Sequence, residues 1–151
     1  MKTMAMGMVM AAAGLVAASV NAQPRPLPLG PDGSGSAAGI AIGAKPASEL
    51  LEGCAGFVGE EANFEVQVDT ERPSLRLRIE SPPPSDAVLV VQLPDGSYRC
   101  NDDASPRDFQ SQLDIENPAL GTYRVWIGTF TNPSFTLSVS SPPRETPPPE
   151  S

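Results

Sequence analysis

Leu75, Leu77 and Ile79 alternate with Arg76, Arg78 and Glu80, and this period of two admits a half-buried β-strand and little else. Phe64, Val66 and Val68 alternate with Glu65 and Gln67 in the same way. Residues 87–93 are almost continuously apolar, as a strand covered on both faces would be. Pro94, Asp95, Gly96 and Ser97 then supply turn chemistry, with Gly96 able to take a positive φ, and 98–100 returns as the partner strand. Leu113 and Ile115 mark a short strand closed by Asn117 and Pro118. Gly121 and Thr122 open a longer one, with Tyr123, Val125 and Ile127 on one face and Arg124, Trp126 and Gly128 on the other. Asn132 and Pro133 turn the chain into a last strand carrying Phe135, Leu137 and Val139. With a first strand over 54–58, this predicts seven to eight strands and no helix. Roughly 90 residues enclose one core. The expected fold is therefore all-β, a single antiparallel β-sandwich or jelly roll spanning 49–141.

The flanks have a different character. Lys2, the apolar run 4–20 and the small residues around Val20, Asn21 and Ala22 compose a signal peptide over 1–22, with cleavage before Gln23. Residues 23–48 are rich in Pro, Gly, Ala and Ser and read as a flexible linker, inside which the apolar piece 38–44 is a candidate edge strand. Residues 142–151 read as a Pro-rich disordered tail. The leader fits a Gram-negative bacterium and directs the protein to the periplasm or the extracellular space, with no membrane insertion after cleavage.

Loss of Lys2 with the leader moves the net charge from −8 to −9, with nine basic residues against eighteen acidic ones. That balance argues against nucleic acid as a partner, because neutralising phosphates takes a basic surface. A protein or polysaccharide partner stays open. The two cysteines, Cys54 and Cys100, imply a single disulfide in an exported protein. In the chain-entropy view, closing such a loop stabilises the fold by roughly 4 kcal/mol at most.

The ordered set of strand, Pro94-Asp95-Gly96 turn, short strand, Asn101-Asp102-Asp103 loop, Gly121-Thr122-Tyr123 strand start and final alternating strand resembles the bacterial pre-peptidase C-terminal domain. The likeness runs from Gly53 to Ser140. It implies a compact β-sandwich of the kind appended to secreted peptidases and similar to the collagen-binding modules of collagenases, some of which use calcium. No peptidase domain stands before it in this sequence, and the cysteine pair is an addition that many members lack.

The sequence has no histidine, so a Ser-His-Asp or Cys-His arrangement cannot be assembled. Glycine-rich phosphate loops and dinucleotide fingerprints do not occur. Asp86, Asp95, Asp102, Asp103, Asp108 and Asp114 could in principle supply a carboxylate pair for glycoside hydrolysis, but no spacing selects two of them. The reading is a non-catalytic binding module without a cofactor other than calcium; the alternatives are an accessory factor to a secreted peptidase and a carboxylate-dependent hydrolase.

Two sets of candidate residues follow. Asn101, Asp102 and Asp103, with Asp95 across the hairpin and Asp108, Glu60 or Glu61 nearby, offer the hard oxygens calcium takes. The competing role is local, with these side chains bonding backbone amides to hold the loop. Trp126, Tyr98 and Tyr123 could stack on a sugar or grip an extended peptide. Their competing role is packing, with Trp126 against the disulfide. Arg76, Arg78, Arg99 and Arg124 are expected to pair with carboxylates across strands.

Overall fold

The structure, a computed structural model, describes residues 23–82, 86–101, 110–130, 134–144 and 149. The leader 1–22, Asp102, Asp103, Asp108, the Asn132-Pro133 turn and most of the C-terminal tail lie outside the described residues. Eleven strands are present among those described: β1 (Arg25–Pro26), β2 (Ser34–Ile40), β3 (Lys45–Pro46), β4 (Phe57–Val58), β5 (Phe64–Val68), β6 (Ser74–Glu80), β7 (Ala87–Gln92), β8 (Tyr98–Asn101), β9 (Gln112–Glu116), β10 (Gly121–Thr129) and β11 (Ser134–Ser140). A single 3₁₀ turn, Ala47–Glu49, joins β3 to the segment before β4.

They form two facing sheets. The smaller has the order β2-β11-β6-β9, antiparallel throughout. The larger has seven strands centred on β10, which takes β7 and then β8 on one side. On its other side β10 takes β5 along its first half and β4 at its last residue, with β1 beyond β5 and β3 beyond β4. The pairing of β1 with β5 is parallel and two residues long.

Alternation decides what each sheet buries. Phe64, Val66, Val68, Leu89, Val91, Tyr123, Val125 and Ile127 of the larger sheet face Leu75, Leu77, Ile79, Phe135, Leu137 and Val139 of the smaller one. Each large aliphatic buried there contributes about 1.5–3 kcal/mol of transfer free energy, an upper figure given a partly collapsed unfolded state. A second cluster lies on the outer face of the larger sheet, where Val88, Val90 and Trp126 meet Val58, Ala62, Ala47 and Cys54. The segment 47–56 covers it, and the Cys54–Cys100 disulfide fastens that segment to β8.

The sandwich expected from the sequence is present, and every strand predicted from Phe64 onward is found within a residue or two of its expected bounds. Two expectations are corrected. The first strand is only Phe57–Val58, because Cys54 belongs to the covering segment and not to the sheet. The stretch 23–48, read as a flexible linker, supplies three edge strands and a turn. Its β2 pairs with β11 along all seven residues, from Ser34 opposite Ser140 to Ile40 opposite Ser134. The folded unit therefore begins near Arg25.

Candidate functional site

At one end of the sandwich the edge of the larger sheet is split. β5 accompanies β10 as far as Val125, and β4 rejoins it only at Thr129. Asn63 fills the gap. Its backbone N–H donates to the Val125 carbonyl at 2.8 Å, and its side-chain Oδ1 accepts from the Ile127 N–H at 2.8 Å. The Asn63 carbonyl accepts from the Arg25 N–H at 3.0 Å, which starts β1. One side chain thus replaces a missing ladder residue, and 59–62 can swing outward without orphaning a buried amide.

The outward swing makes one wall of an open groove of about 620 Å³. Ile40, Ile42, Ala62 and Phe135 give it an apolar floor, and Glu60 and Glu61 stand at its rim with Gln23 and Arg25. Ile40 is 66% exposed and Ile42 71% exposed. Phe57 and Phe130 are also exposed at this end, since Phe57 pairs with Thr129 and Phe130 follows it. Among the described residues only Leu120 is a large exposed apolar side chain elsewhere, beside the start of β10. An apolar surface gathered at one end and rimmed by charge is the pattern of an interaction site.

The charges around the groove are unequal. Arg25 is engaged, with its guanidinium 4.8 Å from the Phe64 ring centroid and a hydrogen bond to the Ala38 carbonyl at 3.2 Å. Lys45 Nζ lies 3.6 Å from Glu60 and also donates to the Glu60 carbonyl. Glu61 has no cationic partner among the described residues. The groove thus keeps an uncompensated carboxylate at its lip.

The residues singled out from the sequence fall elsewhere. Tyr123 is wholly buried between the sheets, and its hydroxyl donates to the Ala119 carbonyl at 2.8 Å. Burial pushes its phenol above the ordinary value. Trp126 points to the opposite face of β10, 5% exposed, with its ring 5.9 Å from that of Tyr98 in the cluster around the disulfide. Period two separates them: Tyr123, Val125 and Ile127 of β10 enter the inter-sheet core, and Trp126, on the opposite face, enters the outer cluster. These three aromatics do not form a ligand platform. Trp126 and Tyr98 pack together, and Tyr123 is core. Among the described residues the buried Trp126 Nε1 has no hydrogen-bond partner, so this indole serves the cluster by its area.

Of the candidate oxygen ligands, those among the described residues lie apart. Asp95 Oδ1 accepts from the Ser97 hydroxyl at 2.6 Å and the Ser97 N–H at 2.9 Å, and these bonds hold its carboxyl below the usual carboxylate range. They stabilise the turn where Gly96 takes a φ of 88°. Asn101 stands at the far end of β8, about 10 Å further along at ~3.3 Å per residue. Its side-chain Nδ2 donates to the Gln112 carbonyl at 2.7 Å, tying β8 of one sheet to β9 of the other. Asp95 and Asn101 therefore cannot share one ion, and Glu60 and Glu61 belong to the groove. Among the described residues no group of three or more His, Cys, Asp or Glu converges as metal ligands would.

Two of the four strand arginines, Arg76 and Arg124, pair across strands as expected; Arg78 meets a carboxylate of its own strand, and Arg99 has no ion pair among the described residues. Arg76 pairs with Asp114 at 2.6 Å, Arg78 with Glu80 at 3.5 Å and Arg124 with Glu65 at 3.4 Å. Sequence reasoning missed the groove because its floor comes from the supposed linker. The signal was present in the isolated pair Ile40 and Ile42, the only large branched side chains of 30–49.

Cys54 and Cys100 are bonded, which suits an oxidising compartment, and no helix among the described residues is long and apolar enough to cross a membrane. The sequence matches no protein-family model and no curated protein.

Proposed function

We propose that the protein is an exported, non-catalytic β-sandwich module that binds an extended segment of a partner protein in the groove at the split sheet edge. The observation that carries this reading is the exposure of Ile40 and Ile42 in that groove, with Phe57 and Phe130 also exposed at the same end of the sandwich. The Glu60 and Glu61 rim, on a protein of net charge −8, favours a segment whose aliphatic side chains are flanked by Lys or Arg. Export rests on the leader motif and is consistent with the disulfide. The likeness to pre-peptidase C-terminal modules agrees with the two-sheet architecture and supports a role beside secreted enzymes without catalysis of its own.

The test is selection from a displayed random-peptide library against the protein spanning 23–151. Enriched peptides should combine branched aliphatics with a basic residue, and they should lose at least tenfold in affinity for Ile42→Asp or Glu61→Lys. A library that yields no enrichment, or peptides that bind both variants as well as the parent, removes the reading.

A further inference from the structure

We infer that Gln23 becomes an N-terminal pyroglutamate, placing an uncharged lactam at the mouth of the groove. The inference rests on export with cleavage after Ala22 and goes beyond it in assigning a modified residue. Val20 and Ala22 are small residues at the two positions a signal peptidase reads, so the new terminus is Gln23. The fold starts at once: Arg25 is already in β1, with its N–H bonded to Asn63. Gln23 itself is exposed and outside any strand, so no sheet ladder holds its backbone.

An N-terminal glutamine carries the reactants of its own cyclisation. The α-amino nitrogen attacks the carboxamide carbon, a five-membered lactam forms, the bond from that carbon to Nε2 breaks, and Nε2 leaves as ammonia. No oxidant or second substrate is consumed. The product has no α-ammonium, so one positive charge disappears from a surface that also holds Glu60, Glu61 and Arg25. An open terminus could lie against the carboxylates as an intramolecular counter-ion. Cyclisation removes that competitor and leaves Glu61 available to a cationic partner.

The experiment uses the full-length protein expressed with its leader in a Gram-negative host, purified from the periplasm, held at neutral pH for several days and analysed by intact mass and N-terminal peptide sequencing. The expected result is a terminal peptide starting at residue 23, lighter by one ammonia and refractory to Edman degradation. Gln23→Ala should give an unblocked terminus of full mass and a charge one unit more positive. A wild-type protein that starts at Gln23 and stays open after incubation overturns the inference while leaving export intact. A protein that starts elsewhere, or keeps its leader, overturns both.

Discussion

Between the sheets, apolar side chains arrive on strands whose alternation orients them before any contact forms; outside the larger sheet, Ala47 and Cys54 arrive on an irregular segment with no such orientation. The inner cluster is large and closes on itself, since each face that needs cover finds the other. The outer cluster needs Trp126 as its bulk and the Cys54–Cys100 bond as its fastener, because few strand contacts hold 47–56 in place. One region is specified by pattern and the other by a covalent tie. β10 belongs to both through its two faces.

The sharpest way to test that contrast is to cut each region separately. Leu77→Ala, at a fully buried site between the sheets, should lower unfolding stability by about 2–5 kcal/mol in urea titrations, with or without reductant. Replacing both cysteines by alanine should cost up to about 4 kcal/mol. In that variant Trp126 fluorescence should shift at lower urea than the far-ultraviolet β signal, and limited proteolysis should cut within 50–53. Coincident transitions would mean that the two clusters are one cooperative unit, and the contrast would be broken. Asn63→Ala removes the side-chain acceptor for the Ile127 N–H and should cost about 1–3 kcal/mol, with faster amide exchange at Ile127 than at Val91.

The smallest effect concerns pH. The Arg76 guanidinium beside Asp114, with Gln112 assisting, holds that carboxyl below its ordinary value in the folded state. Its contribution is therefore present above the unfolded pKa and is lost as pH falls through the folded one. Melting temperature should decline on acidification below about pH 4, and Asp114→Asn should flatten that decline slightly. An unchanged acid limb in this variant would show that the pair contributes nothing, as many exposed pairs do not.

The same contrast explains what was legible beforehand. Leu75, Leu77 and Ile79 announced β6, and Pro94 to Ser97 announced the hairpin, because contrast between neighbours and turn chemistry are local signals. β2 carried no such contrast: Gly35, Ala37 and Gly39 occupy its half-buried face. Small side chains there are a packing requirement. A Cβ on Gly39 would come within 2.8 Å of the Phe135 ring, so a composition that reads as looseness is close approach. The Cys54–Cys100 pairing followed from counting, and the packing role of Trp126 was one of two readings the sequence allowed. The groove left only the isolated pair Ile40 and Ile42 as a trace in the sequence, because Ile40 beside Ser134 and the segment around Asn63 meet only once β2 has docked on β11.

That docking joins the earliest strand of the smaller sheet to the last strand among the described residues, segments about a hundred residues apart. A ribosome delivers Ser34–Ile40 long before its partner Ser134–Ser140 exists. The smaller sheet cannot be completed vectorially, because the seam between β2 and β11 closes only when both strands are present. A late-closing seam of this kind leaves the chain uncommitted to its final shape until its distal strand has been made.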